Sequence, residues 1–138
     1  MHIKFFLNYD DDKRSSMMNY GLDHISKLKK YHKDIKISYF KPKIPKLLYL
    51  FPYLWRMRIA RYLLYKIQIK KLNKVDIAHV VDHQYAHLVN YINAAKKIIT
   101  VHDLFPIIFQ SKLKKKPFLL NYSLSFLDYF DKIIAIST

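Results

Sequence analysis

Short apolar runs alternate with longer amphipathic segments along this chain, and this alternation restricts the fold more than any other feature. Each run has four to seven residues, as expected of strands buried on both faces of a sheet. Strands that alternate with helices form a parallel sheet, joined by right-handed crossovers. The sequence therefore predicts an α/β fold with a doubly wound, mainly parallel sheet. The predicted strands are residues 2–7, 35–40, 75–81, 97–101 and 133–136.

Helices are predicted between these strands. The first begins at Ser15 or Ser16, whose side chain can cap it, and continues to residue 31. The others span residues 49–71, 84–92 and 117–130, and a loop is predicted over residues 104–116. The residues of the first helix that are predicted to face the sheet are Met18, Leu22, Ile25 and Leu28.

The composition excludes several classes of protein. The length of 138 residues suits one domain, residues 1–138. There is no cysteine, which excludes disulfides and thiolate metal sites. Gly21 is the only glycine, so the glycine-rich phosphate loops of dinucleotide-binding and P-loop proteins are excluded. The sequence predicts neither a secretory leader nor a membrane span.

The chain is strongly basic, with 25 Lys and Arg against 10 Asp and Glu and a formal net charge of +15. This balance favours an anionic partner, such as nucleic acid, an acidic membrane face or a phosphorylated substrate. A biased genomic composition explains the same excess without any function, and both interpretations stay open.

Ligands of doubly wound sheets bind outside the carboxyl ends of the strands. His102 and Asp103 follow one such end. An imidazole exchanges protons near neutral pH, and the adjacent carboxylate can orient it or bind sugar hydroxyls. We predict this pair as catalytic, with a cap of the strand end as the alternative.

A second cluster follows the strand at residues 75–81. We predict that Asp82, His83 and His87 bind substrate, and Asp82 can also cap the next helix. The two histidines are four residues apart, but without a central glutamate this spacing is a weak zinc signal, and no metal is predicted. A structural role stays open, and His79 is interpreted as a core histidine.

Arg14, Ser15 and Ser16 stand at the start of the first helix. A guanidinium, two hydroxyls and the first amides of a helix together form an anion site, so we predict substrate binding here. The alternative is an ordinary helix cap with a solvated arginine.

The long helix carries one predicted core stripe, formed by Met57, Ala60, Leu64 and Ile67. Aromatic and basic residues outside that stripe predict a membrane or partner surface. The alternative is a solvated charged face. The predicted surface residues are Trp55, Arg56, Arg58, Arg61, Tyr62 and Tyr65.

Five segments together resemble the amino-terminal domain of retaining glycosyltransferases that have two Rossmann-like domains (the GT-B fold, glycosyltransferase family 4-like, group 1). The segments are IKFFL (3–7), RSSMMNYGLDHI (14–25), HVVDHQYAHLV (79–89), IITVHDLFP (98–106) and DKIIAIST (131–138). The resemblance covers essentially the whole chain.

The resemblance implies sugar transfer from a nucleotide sugar, the co-substrate, with no cofactor or metal. His102 would face the transferred sugar, Ser15 and Ser16 would approach donor phosphate or acceptor, and Asp82 and His83 would form the acceptor-side wall. It also implies a sugar or lipid-linked acceptor, a role in cell-surface polysaccharide or glycolipid synthesis, and a cytoplasmic location that includes the inner membrane face.

Two departures from the family pattern matter. Ser15 and Ser16 stand where many relatives have a glycine pair, and the donor-binding carboxy-terminal domain is not in this sequence. We therefore expect the isolated chain to be inactive until that domain is supplied in cis or in trans. The competing hypothesis is a non-catalytic basic α/β module that binds nucleic acid or an anionic membrane, although no nucleic-acid-binding signature is readable.

Overall fold

A computed structural model describes residues 1–102 and 118–136. It contains a five-stranded parallel sheet with the strand order β2-β1-β3-β4-β5. This confirms the predicted α/β, doubly wound, Rossmann-like fold. The strands are β1 (His2–Phe6), β2 (Lys36–Phe40), β3 (Val75–Val80), β4 (Ala94–His102) and β5 (Lys132–Ile136). Four strands begin within one residue of the predicted start, and β4 begins three residues earlier than predicted.

The helices connect the strands in the predicted order. They are α1 (Ser15–Tyr31), α2 (Tyr53–Ile59), α3 (Tyr65–Ile69) and α4 (Phe118–Leu124). A π-helical turn, Ala60–Leu64, joins α2 to α3. The predicted helix at residues 84–92 is instead a 3-10 helix, His83–Tyr91. The predicted loop at residues 104–116 lies outside the described residues.

Two apolar layers cover the sheet. On one face, α1 packs Ile25 against a small cluster that includes Phe5, Leu7 and Val81. On the other face, α2, α3 and the 3-10 helix His83–Tyr91 pack over the larger cluster. The alternation of faces follows the strand period of two, since Phe5 and Phe6 belong to opposite clusters.

Gly21 lets α1 approach the sheet closely. A Cβ added there would lie 3.0 Å from Leu7 Cδ2 and 3.1 Å from Val81 Cγ1. The sheet-facing line of α1 therefore runs through Gly21 and Ile25, which are buried. The prediction that Leu22 faces the sheet is wrong, because this residue lies one position further round the helix and is exposed.

The π-helical turn changes which residues of the long helix are buried. It inserts one residue between successive turns, so two buried positions are five apart instead of four. The predicted stripe is therefore wrong beyond Ala60: Ile67 is exposed and Leu64 is only partly buried. The buried residues of this helix are Met57, Ala60, Tyr65 and Ile69.

We predict that the chain tolerates deletion of Leu63. This residue is exposed, and its removal restores a four-residue spacing between Ala60 and Tyr65 that an ordinary α-helix supports. The urea midpoint, followed by circular dichroism, should change little.

Deletion of Arg58 serves as the matched control. It shortens the spacing between Met57 and Ala60 inside regular α-helix and rotates one of these two buried residues out of the core. A cost of about 2 kcal/mol or more is expected from the lost burial. Equal effects of the two deletions would contradict the explanation of the π-helical turn.

Candidate functional site

The strand order reverses between β1 and β3, so the crevice of this sheet lies outside their carboxyl ends. The loop between β1 and α1, residues 7–14, borders the crevice on one side. Residues 81–84, which follow β3, border it on the other. His102, the last residue of β4, lies beside them. The topology therefore brings together the three predicted clusters.

The Asp82 carboxylate holds these loops together. It has no exposed surface and accepts hydrogen bonds from Asn8 Nδ2 at 2.8 Å and from the Gln84 amide at 3.0 Å. Arg14 Nη1 lies 3.3 Å from its Oδ2 atom. The prediction that Asp82 caps the next helix is confirmed. Because its side chain is fully buried, Asp82 presents no surface to the crevice and instead positions the residues around it; its predicted substrate contact stays a prediction.

Arg14 itself is the N-cap residue of α1, with no side-chain cap. The prediction that Ser15 or Ser16 caps the helix is therefore wrong. The chain turns at Lys13, which has a left-handed backbone (φ 52°), and so places both serines in the first helical turn, where they are exposed. Arg14 keeps part of its guanidinium exposed while it contacts Asp82.

A cavity of about 210 Å³ opens at this helix start. Lys13 and Arg14 give it two cationic side chains, and Ser15 and Asn19 add a hydroxyl and an amide. Groups of this kind bind phosphate or carboxylate oxygens. We call this cavity the α1 groove; its lining is Tyr9, Asp10, Lys13, Arg14, Ser15, Met18 and Asn19.

His102 is buried beside the same loops, with 9% of its surface exposed. Its Nε2 atom lies 3.0 Å from the Val81 carbonyl oxygen and must carry the hydrogen, because a carbonyl only accepts. The neutral ring then has its lone pair on Nδ1. Tyr20 of α1 packs edge-on against the ring at 4.9 Å. Asp103, the predicted partner, lies outside the described residues.

His83 connects His102 to Asp82. Its Nδ1 atom accepts the His102 amide hydrogen at 3.3 Å. The same atom lies 3.6 Å from Asp82 Oδ1, and this contact is no ion pair while Nδ1 acts as an acceptor. His83 is buried and supports the backbone of β4, and its place in the acceptor-side wall stays a prediction.

His87 is not part of the crevice. It is fully buried, with its ring nitrogens 3.2 Å from Ser123 Oγ and 3.1 Å from the Arg61 carbonyl oxygen. These contacts attach His87 to the domain interior, and its predicted substrate contact stays a prediction. The described part of the chain contains no group of three or more His, Asp or Glu side chains that could hold a metal ion.

His79 is a core histidine, as predicted. Its Nε2 atom lies 2.7 Å from Thr100 Oγ1, and its ring packs near His24. Burial, with the nearby imidazoles of His24 and His102 as smaller causes, lowers the pKa of His79 from 6.5 to about 4. Burial likewise lowers the pKa of His87 to about 4.

Sequence reasoning missed three residues of this region. Asn8 is a buried donor to Asp82, and Tyr20 packs on His102. Asp12 belongs to a run of three aspartates of the kind that is usually solvated, yet it is buried, accepts a 2.6 Å hydrogen bond from the Tyr85 hydroxyl and pairs with Arg61. The only sequence signal was that Asn8 and Asp12 follow β1 directly.

Only some residues of the predicted membrane or partner surface are exposed in the structure. Trp55 and Arg58 are exposed, with the guanidinium 5.7 Å from the indole ring. Tyr65 has no exposed surface and donates a 2.6 Å hydrogen bond to the Leu7 carbonyl, so its assignment to a surface is wrong. The π-helical turn is the reason, because it rotates Tyr65 into the core.

The other three predicted surface residues are partly buried. Arg56 and Arg61 pair with Asp11 and Asp12 of the β1–α1 loop. Tyr62 stacks on His87 with 4.6 Å between the ring centroids. These side chains attach the long helix to the rest of the domain.

Comparisons with protein-family models, curated proteins and solved structures found no match to this chain. The resemblance to glycosyltransferases therefore stays a prediction.

We predict that Asp82→Ala lowers the free energy of unfolding by about 3 kcal/mol, because it leaves buried Asn8 Nδ2 and the Gln84 amide without their acceptor. Urea unfolding measures the change. Asp23→Ala is the matched control, since that carboxylate forms an exposed pair with Lys27 and its loss should hardly move the midpoint. Equal effects of the two substitutions would contradict the role assigned to Asp82.

The buried histidines predict a pH dependence of stability. Between pH 6.5 and about 4 the unfolded chain binds protons at His79 and His87 that the folded chain does not. The free energy of unfolding should therefore fall as the pH falls, by up to about 1.4 kcal/mol per pH unit for each histidine. Urea unfolding between pH 7 and about 5 limits the contribution of carboxylates.

The glutamine amide of His79→Gln can still form a hydrogen bond with Thr100, but it binds no proton. The variant should therefore reduce the slope of the unfolding free energy against pH by up to about 1.4 kcal/mol per pH unit. The exposed His32→Gln is the control and should leave the slope unchanged. A wild-type slope in the His79 variant would show that another group is responsible.

Proposed function

We propose that this domain is the acceptor-binding, amino-terminal half of a nucleotide-sugar-dependent glycosyltransferase, and that a donor-binding domain acts with it in cis or in trans. The proposal rests on the five segments that resemble this family and on the crevice at the carboxyl ends of β1, β3 and β4. A parallel sheet of this order places its ligands there.

The α1 groove is the observation that carries the proposal. A nucleotide sugar loses a diphosphate leaving group, and negative charge develops on it as the glycosidic bond breaks. Lys13 and Arg14 line the groove with cationic side chains, next to the Ser15 hydroxyl and the first amides of α1. Such groups stabilise a developing phosphate charge, or hold an anionic acceptor, without a metal ion.

Asp82 acts in this proposal as a positioning residue. It holds Arg14 from the buried side while part of the guanidinium remains exposed to the groove. A fixed arginine loses less conformational freedom on binding than a free one, so it favours the bound geometry.

His102 is the proposed sugar contact. Its Nε2 hydrogen is used by the Val81 carbonyl, so Nδ1 of the neutral ring accepts a hydrogen bond from a hydroxyl of the transferred sugar. This contact orients the sugar and adds electron density next to the positive charge that develops on it.

The substitution His102→Gln tests this assignment. A glutamine amide can still donate to the Val81 carbonyl, which preserves folding, but it offers no acceptor where Nδ1 stood. We expect transfer to fall by about 100-fold. The measurement combines the chain with its donor-binding domain, supplies a panel of labelled nucleotide sugars with a lipid and polysaccharide extract, and follows nucleoside diphosphate release together with label in the acceptor.

His32→Gln is the matched control, because His32 is exposed at the far end of α1. It should leave the rate unchanged. Unchanged transfer in the His102 variant would contradict the sugar contact. A reading frame with no donor-binding domain, and none in a partner chain, would contradict the proposed enzyme as a whole.

The net charge of +15 supports the competing function, a non-catalytic module for anionic partners. RNA binding over a salt series separates the two. Tight, strongly salt-dependent binding without any sugar transfer would favour the basic module.

A further inference from the structure

The longest apolar run of the sequence, residues 47–55, lies outside the core. Its side chains include Leu50, which is 81% exposed, and Trp55, which is 60% exposed. Large exposed apolar surfaces mark interaction sites in folded proteins. We call this surface the apolar patch; its members are Leu47, Leu50, Phe51, Leu54 and Trp55.

The backbone beneath the apolar patch is held firmly. It consists of a 3-10 helix, Lys46–Leu50, followed by Pro52 and the first turn of α2. The Tyr53 hydroxyl donates a 2.9 Å hydrogen bond to the Asp11 carbonyl. The Arg56 guanidinium lies 4.5 Å from the Tyr49 ring centroid and pairs with Asp11. The exposed side chains are therefore presented by an ordered scaffold.

The segment that carries the patch has charges of one sign only, although Asp10 and Asp11 of the β1–α1 loop lie beside it. Residues 35–75 contain eleven Lys and Arg and no Asp or Glu. Three of these cations pair with the aspartates of the β1–α1 loop. Lys43, Lys46 and Arg58 are exposed beside the apolar patch, and Arg58 stacks over Trp55.

Large apolar and aromatic side chains bordered by Lys and Arg suit the interface of an anionic bilayer. The apolar groups enter the boundary between headgroups and acyl chains, Trp and Tyr occupy the headgroup level, and the cations contact acidic lipids. A protein surface that covered an acid-free segment of this length would need an equally one-sided acidic face. The charge pattern therefore favours a membrane over a protein partner.

We propose that the apolar patch docks this domain onto an anionic lipid bilayer. No helix in residues 1–102 and 118–136 has the length and apolar character to cross a membrane. The segment that carries the patch follows β2, and its Tyr53 contacts the β1–α1 loop, so the patch lies at the same end of the sheet as the α1 groove. Docking would bring that groove next to the bilayer. The membrane contact itself does not depend on sugar transfer.

Trp55 provides the test, because it is the only tryptophan of the chain. The full chain is titrated with vesicles of phosphatidylcholine alone and of phosphatidylcholine with equal phosphatidylglycerol, over a salt series. With the anionic vesicles we expect a blue shift of tryptophan emission, quenching by brominated acyl chains and weaker binding at higher salt. The neutral vesicles should bind far less.

Substitutions then locate the contact. Leu50→Ser and Leu54→Ser should each weaken binding about tenfold, since each removes an inserted apolar side chain. Lys46→Gln and Arg58→Gln should each weaken it about fivefold and reduce the salt dependence. Tyr31→Ser is the matched control, because this exposed aromatic residue lies at the end of α1 remote from the groove. It should bind as the wild type does.

Three results would overturn the proposal. The first is no emission shift with anionic vesicles. The second is wild-type binding by the Leu50 and Leu54 variants. The third is a concentration-dependent blue shift without lipid, with a dimer mass in solution, which would show that a second copy covers the patch. All three measurements are made without a nucleotide sugar, so their failure is distinct from failure of the proposed enzyme.

Discussion

The geometry of the crevice depends on one buried carboxylate. Asp82 is the only acceptor that joins the β1 end, the start of α1 and the 3-10 helix after β3 among the contacts of the described residues. A buried charge is costly unless donors surround it, so Asn8, Arg14 and the Gln84 amide must converge on this point. Arg14 and the α1 groove are therefore fixed from the interior.

The topology could be predicted because it depends on local patterns. Each strand buries a short apolar run, and the period of two assigns Phe5 and Phe6 to opposite faces without knowledge of distant contacts. The location of the crevice followed from the same information. The roles of the polar residues did not, since Asp82 contacts Asn8 and Arg14, which are 74 and 68 residues away. A strand-end position says that a side chain can reach the crevice, but burial by distant partners decides whether it does.

The long helix shows a different limit. A regular period of 3.6 residues predicts Leu64 and Ile67 as core residues, and one extra residue in the π-helical turn replaces them with Tyr65 and Ile69. Nothing in the local sequence specifies that turn. Its stabilisation comes from tertiary contacts, such as the hydrogen bond from Tyr65 to the Leu7 carbonyl. Arg61 lies within the same turn and reaches Asp12.

The three consecutive aspartates after β1 divide the cations of the following segment into two groups. Asp10, Asp11 and Asp12 pair with Lys41, Arg56 and Arg61 and so attach the basic segment to the sheet. Because these three acids are paired, and because residues 35–75 contain no Asp or Glu, the exposed cations next to the apolar patch have no acidic partner within that segment. The acidic run thus stabilises the fold and leaves an excess of exposed cations in this segment, which favours an anionic partner.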